Sequence, residues 1–127
     1  TNLFPHTHDV LSKLSQNYKL HIITNGFSEV QDVKLTKSNL KQYFNIIVCS
    51  EETGFKKPHK SVFNTALNQA KTTNQQSVMI GDSFEADIIG ALKVGMKAIW
   101  FNPNHEVAKK SVEQINCLSQ LSTIFRV

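Results

Sequence analysis

The sequence predicts an α/β protein built on an open, mostly parallel sheet with helices on both faces, and three observations carry that prediction. Short apolar runs alternate four times with segments of helical periodicity. The runs are continuously apolar, as in strands buried on both faces of a parallel sheet, rather than alternating as in a half-exposed antiparallel one. The connections are short, and no repeat or low-complexity tract interrupts them. With 127 residues, 40% of them hydrophobic, the chain is the size of one domain able to bury a core, and no internal boundary divides residues 1–127.

The elements follow in order. Pro5 is placed in the first turn of a helix running to about Gln16, with Val10, Leu11 and Leu14 on its apolar face. Lys19 to Ile23 is a first strand, ended by Thr24-Asn25-Gly26. Ser28 with Gln31 three later resembles a capping box, and Val30, Val33 and Leu40 continue a second helix. Asn45 to Cys49 is a second strand, followed by a polar loop from Ser50 to Pro58. Val62, Phe63, Ala66, Leu67 and Ala70 form the stripe of a third helix. Ser77 to Ile80 is a third strand broken by Gly81, and Ala86 to Val94 is a fourth helix closed by Gly95. Lys97 to Phe101 is a fourth strand whose Trp100 and Phe101 read as core. The tail is expected to hold a short edge strand near Ile115 and a helix carrying Leu118, Leu121 and Phe125.

Composition excludes several classes. Charged residues make up 19% of the chain, and no apolar run approaches the roughly 18 residues of a membrane span. The net charge of +4 is carried by lysines scattered along the sequence, a solvated surface rather than a nucleic-acid patch. Cys49 and Cys117 form no CxxC motif, which fits a reducing cytoplasm, and Cys49 in its apolar run reads as a small core residue. Of the five histidines only His6 and His8 stand at a metal-ligand spacing, and a helix would point those two apart. The first residue is Thr1 rather than a methionine, so a fragment or a processed chain is expected.

In an open α/β sheet the functional groups collect beyond the carboxyl ends of the strands. Three loops stand there: Thr24-Asn25-Gly26, Gly54-Phe55-Lys56-Lys57-Pro58, and Gly81-Asp82-Ser83-Phe84-Glu85-Ala86-Asp87. Taken singly, each has a structural use, as a turn, a surface cation or a helix cap. Taken together they supply a hydroxyl, backbone amides, a cation and two carboxylates. Phosphoryl transfer needs that set: donors for non-bridging oxygens, a fixed positive charge, and hard oxygen ligands for Mg²⁺. The spacing from Asp82 to Asp87 covers a loop and one helical turn, so both carboxylates are expected to face one point above the sheet.

Ile22-Ile23-Thr24-Asn25-Gly26, then Gly54-x-x-Lys57-Pro58 with Phe63, then Met79-Ile80-Gly81-Asp82-Ser83 with Asp87 and Gly90-Ala91, resemble the second, third and fourth motifs of the haloacid dehalogenase (HAD) superfamily, in order and at its spacing. The surrounding phrases are most similar to its nucleotidase-like phosphatases, which carry a helical cap. The resemblance implies a Rossmann-like core and a Mg²⁺-dependent phosphatase acting on a small phosphate monoester, a nucleoside 5′-monophosphate among the options, through an aspartyl-phosphate. It implies that Thr24 and Asn25 bind the phosphoryl group, with Lys57 neutralising charge beside them. Asp82 would ligate Mg²⁺, and Asp87 would hold a metal-bound water or orient Lys57. Phe27 would flank the entrance.

The sequence departs from the family pattern in one respect. The family's nucleophile and acid/base stand in an Asp-x-Asp on a strand preceding everything seen here, whereas the aspartates of this chain are Asp9, Asp32, Asp82 and Asp87, no two of them separated by one residue. The chain is therefore expected to be the core portion after the cap, without the nucleophile strand. By itself it should be inactive, partnered by its missing N-terminal half or by another copy. Two alternatives stand beside this reading. A non-catalytic domain could bind phosphate or a partner, and a metal-independent haloacid dehalogenase could use the same fold, although those enzymes show Ser-Ser-Asn where this chain has Gly81-Asp82-Ser83.

Overall fold

A computed structural model describes residues 3–127. In chain order the elements are α1 (Thr7–Ser15), β1 (Leu20–Thr24), α2 (Ser28–Lys37), β2 (Phe44–Cys49), α3 (Ser50–Thr53), α4 (Lys60–Ala70), β3 (Val78–Gly81), α5 (Gly90–Lys93), β4 (Lys97–Phe101), β5 (Glu113–Ile115) and α6 (Gln120–Ile124). Single 3₁₀ turns at Lys41–Tyr43 and Asn74–Gln76 lead into β2 and β3, and a wide π-type turn, Phe84–Ile89, leads into α5.

All paired strands are parallel, but they form two sheets: β1 beside β2, and β3-β4-β5. Among the described residues no strand is hydrogen-bonded to both β1 and β3, so their facing edges are unpaired. Apolar packing joins the two sheets instead. On one face Val10 and Leu14 of α1 and Leu121 of α6 cover Ile99, Phe101 and Ile115, and Leu20 of β1 and Ile80 of β3 pack against this cluster. On the other face α4 and α5 bring Phe63 and Ala91 over Ile23, Met79 and Ala98, while Val62 and Ala66 cover Val48. Helices thus lie on both faces, as a parallel sheet with apolar strands requires.

Several local expectations change. Pro5 lies in a turn before α1, which begins at Thr7 because both its amide and its hydroxyl bond the Phe4 carbonyl. Ser28 forms no capping box. The extended cap position falls on Phe27, Ser28 is the first helical residue, and the carboxylate of Glu51 accepts the Ser28 amide at 2.6 Å. Only Leu35 of α2 is buried; Val30 and Val33 are exposed, and Leu40 lies beyond the helix. The loop after β2 begins with the four residues of α3, which its sequence does not announce. Cys49 is buried as expected, burial first and then Glu52 and Glu51 raising its thiol pKa. Trp100 and Phe101 are both core.

Candidate active site at the carboxyl ends of beta1 and beta3

β1 and β3 end at the same side of the molecule, and the three sequence-selected loops meet there through Lys57. Its Nζ donates to the Ile23 carbonyl of β1 at 3.1 Å and to Asp87 Oδ1 at 2.6 Å. The two side chains are only 12% and 5% exposed, respectively. One cation therefore bridges the edge of one sheet to the loop that leaves the other. A largely buried ammonium is costly without partners, and both partners are in place.

The loop that carries Lys57 is held by Asn25. The Asn25 Oδ1 accepts the Lys57 amide at 2.8 Å, its Nδ2 donates to the Lys57 carbonyl at 3.4 Å, and its own carbonyl accepts the Ser50 hydroxyl at 3.1 Å. The side chain of Asn25 is thus occupied, leaving its backbone N–H as the group it can offer a ligand. Thr24 Oγ1 accepts the Gly26 amide at 3.0 Å. That bond directs the oxygen lone pair inward and leaves the hydroxyl proton free to donate.

The two aspartates do not share one environment. Asp87 is 3% exposed, and both its oxygens are taken, Oδ1 by Lys57 and Oδ2 by the Ser83 amide at 3.1 Å. Gly81 makes this possible, since a Cβ there would stand on the Asp87 carboxylate. Ser83 returns a cap by accepting the Ala86 amide at 3.2 Å, so its hydroxyl serves the structure. Asp82 is exposed, and among the described residues nothing hydrogen-bonds its carboxylate. Its backbone carbonyl accepts the indole N–H of Trp100 at 2.9 Å, a link the sequence does not reveal because Trp100 reads simply as core. The π-type turn Phe84–Ile89 carries Asp87 on its buried side, whereas the sequence placed an α-helix from Ala86. Phe27 lies 68% exposed beside Glu29, Val30 and Glu51, the rim of a shallow hollow.

No group of three His, Cys, Asp or Glu side chains gathers into a metal cage among the described residues. Mg²⁺ does not need one: it keeps several waters and is commonly held by one or two carboxylates with phosphate oxygens. An exposed, unpaired Asp82 fits that demand as one hard ligand. Asp87, with both oxygens engaged, fits the holding of Lys57.

Residues 1–101 match a family described as haloacid dehalogenase-like hydrolase. Pyrimidine 5′-nucleotidase YjjG of Escherichia coli is 38% identical over 113 residues, which is 88% of this chain and 50% of that protein. The glyceraldehyde 3-phosphate phosphatase of Methanothermobacter thermautotrophicus is 35% identical over 130 residues, covering 95% of this chain and 58% of the relative. The crystal structure of the HAD-hydrolase YfnB of Bacillus subtilis bound to magnesium superposes with a TM-score of 0.92 at 34% identity, over 99% of this chain and 56% of that one. The chain spans about half the length of the curated relatives it matches.

Proposed function

The chain belongs to the haloacid dehalogenase-like hydrolase family, and from that premise we propose that it supplies the phosphate-binding and charge-neutralising part of a Mg²⁺-dependent phosphatase acting on a small phosphate monoester. The observation that carries this reading is the Lys57 ammonium. It has three N–H bonds, of which Ile23 and Asp87 take two, so one donor of a fixed cation remains for a phosphoryl oxygen.

The other residues take roles consistent with their bonds. Thr24 donates its free hydroxyl proton and Asn25 its backbone N–H to the phosphoryl oxygens. Asp87 is a positioning residue that keeps Lys57 from swinging to solvent. Asp82 is the ligand this chain offers to Mg²⁺, which when bound supplies positive charge against the phosphate. The nucleophile is an aspartate of an Asp-x-Asp strand outside residues 1–127, whose place is the unpaired edge between β1 and β3. Attack of that carboxylate on phosphorus forms an aspartyl-phosphate as the ester P–O bond breaks and the substrate alcohol leaves, protonated by the second aspartate of the Asp-x-Asp; water then attacks phosphorus, releasing inorganic phosphate and restoring the carboxylate. This reading puts the enzyme in the cytoplasm, with a small soluble phosphate ester rather than nucleic acid or membrane as its partner.

Two of the relatives are pyrimidine 5′-nucleotidases by name, so a pyrimidine nucleoside 5′-monophosphate is the substrate to try first. The experiment measures phosphate release from a panel of nucleoside and sugar monophosphates, with and without Mg²⁺, by the protein complete with its Asp-x-Asp strand. Turnover that needs Mg²⁺ and collapses in Lys57→Ala supports the reading. Turnover indifferent to both sinks it.

A further inference from the structure

We propose that Trp100 is a positioning residue for Asp82, fixing the backbone of the loop after β3 so that the carboxylate stands ready for the cation. The inference rests on the reading of Asp82 as a Mg²⁺ ligand. Parallel pairing sets Trp100 of β4 opposite Gly81 of β3, one residue before Asp82. From there its indole N–H reaches the Asp82 carbonyl at 2.9 Å. The ring is 2% exposed, and Phe84 meets it edge-on with centroids 4.9 Å apart. Trp100 therefore touches the loop at the ligand and just beyond it, by a hydrogen bond at residue 82 and an aromatic contact at residue 84.

Packing alone does not call for this donor. Phe101, next along β4, fills its side of the core with no polar atom, and a phenylalanine at position 100 would fill the other. An indole combines a large apolar ring with an N–H, and burying that N–H unpaired is costly. The Asp82 carboxylate has no side-chain hydrogen bond of its own among the described residues, so where its Cα–Cβ bond points, and which rotamers reach the cation, are set by its backbone. The peptide that follows Asp82 is held at both ends, its N–H by Asp87 Oδ2 at 3.1 Å and its carbonyl by Trp100 at 2.9 Å, and the second bond can be removed without touching a charge. Groups that orient a metal ligand in this indirect way change metal affinity by an order of magnitude or more.

The test is Mg²⁺ binding without substrate, by calorimetry, on the protein complete with its Asp-x-Asp strand. Trp100→Phe keeps a ring against Phe84 and removes the donor; Phe84→Leu loosens the ring and keeps the donor. The expected Kd for Mg²⁺ rises roughly tenfold in the first and changes less than about twofold in the second. Equal changes in both, or none in Trp100→Phe, overturn the proposal. Should Trp100→Phe fail to fold, the assigned Trp100 indole N–H resonance of the wild-type protein decides. A saturable shift at the calorimetric Kd supports the positioning role, and an unmoved resonance overturns it. Asp82→Asn separates the two ways of failing. Unweakened binding in Asp82→Asn removes the ligand assignment and the inference with it, whereas weakened binding there with no change in Trp100→Phe removes the positioning role alone.

Discussion

Lys57 and Asp87, 30 residues apart in sequence, meet at 2.6 Å with almost no exposure to water. The same ammonium binds Ile23, so this one side chain ties together two sheets that share no backbone hydrogen bond. Its removal should therefore be felt in both chemistry and stability.

In the complete protein, Lys57→Ala and Asp82→Ala should each lower phosphatase turnover by about a hundredfold or more, the usual scale for a preorganised electrostatic group. Thr24→Ala should lose less, because the backbone amides remain. Steady-state kinetics with a phosphate monoester checks the order; full activity in both of the first two variants sinks the assignment.

Asp87→Ala should destabilise the fold more than Lys57→Ala. The first leaves a largely buried ammonium with only the Ile23 carbonyl and strips the Ser83 amide of its acceptor, a loss of roughly 3 to 5 kcal/mol for a broken buried pair. The second leaves a carboxylate that still accepts the Ser83 amide. Urea unfolding of the two variants gives the comparison directly.

Gly81→Ala should act on the same pair without touching either charge. The new methyl stands where the Asp87 carboxylate now lies, and overpacking of this kind costs about 1 to 3 kcal/mol. Stability and turnover should fall together, and an unchanged urea midpoint would show that Asp87 can move aside.

Acid should weaken the fold through His21. Its Nδ1 is buried without a partner among the described residues, and burial, then the charge of Lys19, lowers its pKa from 6.5. The unfolded chain then takes up a proton more readily than the folded one. Stability is complete above pH 6.5 and lost as pH falls below it towards the folded pKa. Urea midpoints measured downward from neutral pH should decline less steeply in His21→Leu than in the wild type.

The 127-residue chain by itself should self-associate and hydrolyse no phosphate ester. The facing edges of β1 and β3 are unpaired, and open edges between apolar strands recruit other strands. Sedimentation should show oligomers, and a peptide carrying the Asp-x-Asp strand should restore a monomeric complex and turnover together. A stable monomer with Mg²⁺-dependent turnover and no added strand means that the nucleophile has been misplaced.

Periodicity and punctuation in the sequence were sufficient for the parallel α/β class, because apolar runs ended by Thr24-Asn25-Gly26 and Gly81-Asp82 are local signals and strand length is short-range chemistry. β4 falls on Lys97–Phe101 as expected and the edge strand at Ile115 is found, while the helix after it is shorter than expected, holding Leu121 with Leu118 and Phe125 just outside its ends. The loops that bear Thr24, Lys57, Asp82 and Asp87 were also legible, since topology sends strand ends to one side of a parallel sheet. What only tertiary structure decided is how those residues divide their work. Asp82 and Asp87 look equivalent in sequence, yet one faces solvent while the other is turned inward by a π-type turn and sealed by Lys57 and the Ser83 amide. Likewise α2 reads as a helix continued by Val30, Val33 and Leu40 behind a Ser28–Gln31 capping box, but its valines face outward and the Ser28 amide is taken by Glu51, 23 residues on. Trp100 reads as core and is core, but its indole N–H also holds the Asp82 loop. The common physical reason is that a hydrogen bond between distant segments depends on where the packing of the sheets brings them, and no local pattern of residue types encodes that distance.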